Sequence, residues 1–417
     1  MNVRLVAGDF KLAVWSQLVF VCMMLFFVFL GDAIMSDWVP AYIQKSVGSP
    51  LLMGLILAFS SIVGFLADLV LPQFLKKVVV AKMMLFAIVA SLIFGLTMLT
   101  SVYLPILAVF LTGMAVWGMY YEFLGFGGQA FVSSTVSAHF RAGAWSILGA
   151  FRGLAYFLGP ILGSSVALKY GDSQAVLMAM FFIFVGLLIW LVKGRIKKDY
   201  SLDMGNELIV SSVFIEFKHW LVLLKSVWPI VTIGLLLGLL DATFWTTGTV
   251  LSDNLAEKSF WGGMFLPFYE LPMIFMGLLI AKLGIYKGKK KLAEFFVLIC
   301  GILLIFLSLS NSLWLMLIIS FLVGISASFC WPLKDAVFSD VVNRMGIEGK
   351  HMIGLSGSTA SLAYVLGPII SGFITTIVGE KNTFVAVGMI LAFSALTLLV
   401  VTPKKMRLPQ EEISEWG

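Results

Sequence analysis

The chain has 417 residues, 60% of them apolar and 12% charged, with a mean hydropathy of +1.04. Soluble domains run at about 45–50% apolar and about 25% charged residues, and a soluble fold of this length lacks the interior to hide such a surplus. Composition therefore excludes a water-soluble globule. The net charge of +6 is read as basic residues gathered in short loops on one side of a membrane, not as a nucleic-acid-binding surface. The apolar runs last about twenty residues without alternating apolar and polar positions, which suits spanning helices and excludes barrel strands. Cys22, Cys300 and Cys330 all lie inside apolar runs, so neither a zinc motif nor a disulfide framework is expected. No cofactor or metal is implied.

In chain order, the first run covers 15–43, carries Asp32, and is too long for the apolar part of a signal peptide. Runs follow at 51–72, 79–99, 103–125 (with Trp117, Tyr120, Tyr121 and Glu122), 144–168 (with Arg152) and 174–193. A hydrophilic stretch at 194–225 separates these from the second set; its later part, 209–224, reads as an amphipathic helix on the inner leaflet or as a plain linker. Then come 226–250 (with Asp241, Phe244 and Trp245), 261–282 (with Tyr269, and Glu270 between Pro267 and Pro272) and 292–310. The last three are 313–337 (with Trp331), 350–378 and 382–402, before a tail at 404–417. The expectation is an all-α integral membrane protein of twelve transmembrane helices in two six-helix bundles, 1–193 and 226–403. Of the 28 Lys and Arg, the loops on one side hold only Lys45, Lys169, Lys258 and Lys381, and Arg152 lies within a span. By the positive-inside rule that side is external, and both termini are cytoplasmic in a cell membrane.

Leu154–Ile161 and Leu362–Ile369 differ at one position and sit at an offset of 208, and Asp32-Ala33 recurs as Asp241-Ala242 at an offset of 209. Two matches at nearly one offset indicate duplication of a six-helix unit, a plan used by transporters. The whole chain resembles the major facilitator superfamily. Gly64, Asp68, Lys76 and Lys77 are similar to that family's loop motif after the second helix, although Leu69 and Leu71 stand where it has an arginine and a glycine. Gly277, Leu279, Ala281, Lys282, Gly284 and Lys287–Lys291 form a remnant of it in the second half. Gly159, Pro160 and Gly163, with Gly367 and Pro368, resemble the helix motif of family exporters that exchange drugs for protons. The resemblance implies that Asp68 is a gating residue. It also implies that the first and seventh helices face one cavity.

Charges at membrane depth are costly and so are candidates for mechanism. Asp32 and Asp241, repeat mates, read as proton-coupling or substrate carboxylates, or as groups satisfied locally by Ser36, Thr243 or Thr246. Glu270 suits a gate or a site, or bonds a backbone group freed by its prolines. Glu122 and Arg152 are a candidate ion pair, as brace or inner gate. Trp117, Tyr121, Trp245 and Trp331 are candidate substrate-facing aromatics, with Tyr120, Phe244 and Tyr269 less specific. No phosphate-binding loop or catalytic motif occurs. The expected function is secondary transport of a small solute by alternating access, with proton-coupled export of cationic or neutral amphipathic compounds preferred. Protons, the substrate and the lipid bilayer are the partners, nucleic acid is not, and the chain is expected to be a monomer. A sugar or small-metabolite carrier of the same fold is the alternative, and a membrane-embedded enzyme or sensor is the rival class.

Overall fold

The computed structural model describes residues 3–74, 77–135, 141–193, 201–203, 213–276, 279, 288–309, 312–345 and 349–403. They are almost entirely helical. The first half supplies α1 (Val3–Val47), α2 (Pro50–Phe74), α3 (Val80–Tyr103), α4 (Leu107–Thr135), α5 (Arg141–Tyr170) and α6 (Asp172–Lys193). The second supplies α7 (Val213–Thr243), a π-helical turn (Phe244–Gly248), α8 (Thr249–Ala256), a 3₁₀ turn (Phe260–Met264) and α9 (Phe265–Glu270). It ends with α10 (Lys289–Leu309), α11 (Leu313–Met345), α12 (Gly349–Val378) and α13 (Glu380–Val401).

Among the described residues, 10 helices are long and apolar enough to cross a membrane, from Ser16–Val47 to Glu380–Val401. One of them, Phe217–Ala256, runs through α7, the π turn and α8. Two expected segments behave differently. The stretch 261–282 is interrupted: α9 ends at Glu270, and a turn at Leu271-Pro272 follows, where Pro272 has no N–H to continue the ladder. Much of 277–287, including Gly277 and Lys282, lies outside the described residues. The segment 292–310 is α10, whose first turns carry Lys289, Lys290, Lys291 and Glu294. Residues 213–225 are the opening turns of α7. The tail 404–417 and most of 194–212 fall outside the described residues.

Contacts divide the chain into two compact units, Met1–Val39 with Leu66–Glu207, and Pro40–Phe65 with Leu208–Gly417. In the first unit α3 packs against α4 and α6, and α5 against α6. A short antiparallel ribbon pairs β1 (Lys77–Val79) with β2 (Ser201–Asp203) in the register Lys77↔Asp203, Val78↔Leu202, Val79↔Ser201. No pattern in the sequence marks residues 201–203 as returning to pair with the segment after α2. In the second unit α7 packs on α12, and α10 lies between α11 and α13.

The duplication is visible in local geometry as well. α6 and α13 each start after a glycine with positive φ, Gly171 at 99° and Gly379 at 80°, and each carries an acid in its first turn, Asp172 and Glu380. Carboxylates there complement the helix dipole. Asp172 accepts a hydrogen bond from Trp38 Nε1 (2.7 Å), and Glu380 accepts one from Gln44 Nε2 (3.0 Å). At the start of α10, Glu294 is fully buried between Lys290 (3.3 Å) and Lys291 (3.0 Å). Lys291 Nζ also donates to the carbonyls of Leu398 and Leu399, and Thr402 donates to Glu294 (2.9 Å). This charged cluster ties the first turn of α10 to the C-terminal end of α13, where carbonyls otherwise go unpaired.

Candidate functional site

The two repeated sequence motifs are the two sides of one contact, made once in each unit. In the first, a Cβ on Gly159 of α5 would run into Ala33 and the backbone of Ile34 on α1, so glycine is what lets the two helices meet here. Tyr156 precedes Gly159 by three residues and therefore shares its face. Its hydroxyl donates to Asp32 Oδ2. α4 contributes two further donors one turn apart, Trp117 Nε1 to Oδ1 (2.8 Å) and Tyr121 Oη to Oδ2 (3.1 Å). Phe94 of α3 stacks on the Trp117 indole, with centroids 4.8 Å apart and an interplanar angle of 6°, and fixes its orientation. Asp32 is left 1% exposed. A carboxylate has about four lone-pair positions, and three now meet O–H or N–H donors, which is what burying that group requires.

Arg152, one turn before Tyr156 on α5, is exposed, and its guanidinium carbon lies 5.1 Å from the Tyr156 ring centre and 5.8 Å from that of Phe29. Further along α1, Asp37 is buried and accepts from Ser164 Oγ (2.8 Å). Tyr120 is fully buried.

In the second unit, a Cβ on Gly367 of α12 would meet the Ala242 methyl of α7. Tyr364, again three residues before the glycine, donates to Asp241 Oδ2 (2.5 Å), and Tyr269 of α9 donates to Oδ1 (2.9 Å). Asp241 is 7% exposed. Phe244, the first residue of the π turn, stacks on the Tyr269 ring at 3.9 Å and 6°. The π turn coincides with hydroxyls that turn back on the helix: Thr243 donates to the Leu239 carbonyl, Thr246 to that of Ala242 and Thr249 to that of Thr246. Such bonds compete with the regular ladder, and π turns are frequent at functional positions. Glu270, next to Tyr269 and at the break after α9, is buried.

Structure thus brings Asp32 together with Trp117 and Tyr121, as two of the expected aromatics, and adds Tyr156. It brings Asp241 together with Tyr269 and Tyr364. Both added tyrosines stood in the repeated octapeptides as motif letters; their i, i+3 spacing from the glycine was the available signal. Trp245 is half-buried in the π turn. Trp331 lies under Lys334, whose Nζ is 4.5 Å from the ring centre and 2.9 Å from Asp335. Glu122 is half-buried on α4. Gly64 is buried on α2, while the side chains of Asp68 and Lys77, and the whole of Lys76, lie outside the described residues. No group of three or more His, Cys, Asp or Glu able to hold a metal occurs among the described residues.

Helices long and apolar enough to cross a membrane, 10 of them among the described residues, make this a polytopic membrane protein. The family model of the Major Facilitator Superfamily matches residues 21–346 and 263–416, and the chain belongs to that family. No curated protein matches it by sequence. Among solved structures, it is similar to the human organic anion transporter MFSD10 (TETRAN), with 17% identity, TM-score 0.63, and 91% of this chain and 98% of that one covered. It is also similar to a peptide transporter of the POT family bound to sulfate (13%, TM-score 0.71, 92% and 94% covered). A third is a POT family transporter bound to 5-aminolevulinic acid (12%, TM-score 0.72, 93% and 96% covered). At these identities the likeness is one of fold.

Proposed function

We propose that the protein is a proton-coupled secondary carrier of a small organic solute, working by alternating access, with Asp32 and Asp241 as its proton-binding groups. One observation carries this reading: each unit buries an aspartate that it holds by a tyrosine from its Gly-Pro helix. A buried carboxylate is stable as an anion only while its donors stay in place. A rearrangement that draws Tyr156 or Tyr364 away changes the proton affinity of the partner Asp, and a state-dependent affinity is what lets a proton bias a conformational equilibrium. Glu270, at a proline-broken helix end, is a third proton-exchanging candidate. Asp68 would gate the cytoplasmic side, and both termini would lie in the cytoplasm of a cell in whose plasma membrane the protein sits as a monomer. The preferred cargo is a cationic or neutral amphipathic compound, moved outward in exchange for protons.

The test is accumulation of solute in proteoliposomes under an imposed pH gradient, comparing wild type with Asp32→Asn, Asp241→Asn and the double variant. Gradient-driven accumulation should disappear while downhill exchange continues. Variants that accumulate solute as wild type does would make both carboxylates structural.

A further inference from the structure

We infer that Gly54 of α2 is a positioning residue for Asp241: its close packing on Pro368 holds the turn of α12 that carries Tyr364, so that lifting α2 from α12 takes a donor from the carboxylate. Pro40–Phe65, which includes the first turns of α2, belongs to the same compact unit as α12. A Cβ on Gly54 would run into the carbonyl oxygen of Pro368, with the carbonyl carbon 2.8 Å away. A Cβ on Gly372 would run into the carbonyl oxygen of Pro50, with the carbon at 3.1 Å and Leu51 Cα at 3.3 Å. The two contacts are reciprocal. Each sets a glycine of one helix against a proline carbonyl of the other, and they lie about one turn apart on both helices. Small residues let spanning helices touch backbone to backbone, and two such points fix the separation of α2 and α12 as well as their register.

α12 is held from a second side as well, since Gly367 lies against Ala242 of α7. Adjacent residues of α12 thus meet α7 and α2. The turn they belong to is the one least able to keep its own shape. Pro368 has no N–H, and the bond it omits is the one that the Tyr364 carbonyl, four residues earlier, accepts in a regular helix. Tyr364 therefore stands at a break in the ladder, and its hydroxyl donates to Asp241 Oδ2 (2.5 Å). Helices bend at such breaks, and here α2 leaves no room to bend. Around Asp241 the other titratable groups are Tyr269 and Glu270 of α9. α11 adds Lys334, whose Cδ lies 3.7 Å from where a Cβ on Gly234 would be, two turns before Asp241, and which is bonded to Asp335 (2.9 Å). α13 has no ionisable side chain after Lys381, and those of α10 are engaged elsewhere: Lys289 with Asp340, Lys290 and Lys291 with Glu294, and Cys300 with the Val323 carbonyl. Of all these groups, Tyr364 is the one on the turn that α2 grips. Docking of α2 and the proton affinity of Asp241 are then two readings of one equilibrium, a step that rests on Asp241 being a proton site.

Infrared difference spectroscopy of the purified full chain in lipid, titrated over pH, tests this. The carboxylic acid band that Asp241→Asn removes reports protonation of Asp241. Tyr364→Phe should change the proton affinity read from its midpoint by about 10- to 100-fold, and Gly54→Ala should move it in the same direction by about 3- to 30-fold. Gly372→Ala, at the reciprocal contact, should act as Gly54→Ala does and covers the case of a Gly54 variant that does not fold. Gly357→Ala, also on α12 but with nothing within 4 Å of the added Cβ, should leave the midpoint in place. In the Tyr364→Phe background the Gly54 substitution should add nothing. A midpoint that ignores both contact glycines, even where stability falls, would overturn the role of α2. So would an equal shift from Gly357→Ala, or shifts that add to that of Tyr364→Phe. If Asp241→Asn removes no titrating band, Asp241 is not a proton site and the reading of it as a coupling group falls too; a band that titrates but ignores Gly54 and Gly372 removes the α2 role alone.

Discussion

Exchanging Gly367 with Ala242 moves one methyl across the contact between α12 and α7 and nothing else. In the single variant Gly367→Ala, the new Cβ meets the Ala242 methyl, while its next neighbours, the Gly238 carbonyl oxygen at 3.5 Å and Leu239 Cα at 3.8 Å, are at ordinary contact. Carbon atoms pack at about 3.5–4.0 Å, so α12 must back away. Overpacking costs about 1–3 kcal/mol, and the better helix propensity of alanine returns about 1 kcal/mol. Separation also stretches the 2.5 Å bond from Tyr364 to Asp241, a charge-assisted bond worth about 1.5–3 kcal/mol. The net loss should be about 1.5–5 kcal/mol. Ala242→Gly alone should cost about 1 kcal/mol. Together they restore the fit, with a favourable coupling of about 1–3 kcal/mol. The equivalent exchange at Gly159 and Ala33 should rescue far less, because the new Cβ there also meets Ala33 C at 2.9 Å and Ile34 N at 3.0 Å, backbone atoms that no side-chain change removes. Unfolding by sodium dodecyl sulfate in lipid-containing micelles, run on both double-mutant cycles, reads these energies. Additivity within about 0.5 kcal/mol at 242 and 367, or equal rescue at both sites, would refute the close-contact account.

Tyr156→Phe and Tyr364→Phe, as repeat mates, should each reduce pH-gradient-driven accumulation while the protein stays folded; a loss confined to one of them would break the proposed equivalence of the two carboxylates. Glu294→Gln should destabilise the protein by about 3–5 kcal/mol, since two lysines at its buried carboxylate lose their counter-charge. An unchanged melting temperature would show the cluster to be dispensable. Asp68→Asn should shift spin-label distances across the cytoplasmic helix ends and slow transport, and unchanged distances with normal turnover would exclude a gate. Reporter tags placed after Lys45, Lys169 and Lys258 should all be external, and one internal signal would overturn the proposed topology.

Much of this was legible in the sequence because apolar length and duplication are one-dimensional signals. Asp32 and Asp241 stood out as charges in apolar runs, and Gly159 and Gly367 as matched letters at one offset. What the sequence hid were the partners. Asp32 is satisfied from residues 117, 121 and 156, and Asp241 from 269 and 364, separations that no local periodicity encodes. The local hydroxyls considered for Asp241 are spent on their own helix, Thr243 on Leu239 and Thr246 on Ala242. Pro267 and Pro272 marked backbone groups freed near Glu270, but the segment 261–282 was expected to run as one span and is interrupted after Glu270. The π turn was invisible, because a run such as Phe244–Gly248 differs from a regular helix by one residue of hydrogen-bond phase rather than by composition.

The Asp–Tyr contact is complete within either unit, and this bears on descent. Each sequence repeat carries its own aspartate, alanine, glycine and tyrosine, so neither contact draws a residue from the other unit. Divergence then acted on the surroundings. Arg152 has Ala360 as its counterpart, Trp117 and Tyr121 support one carboxylate where Tyr269 supports the other, and a π turn marks α7 but not α1. The Asp–Tyr contact is thus the part the two units share, and its neighbourhood is the part in which they differ.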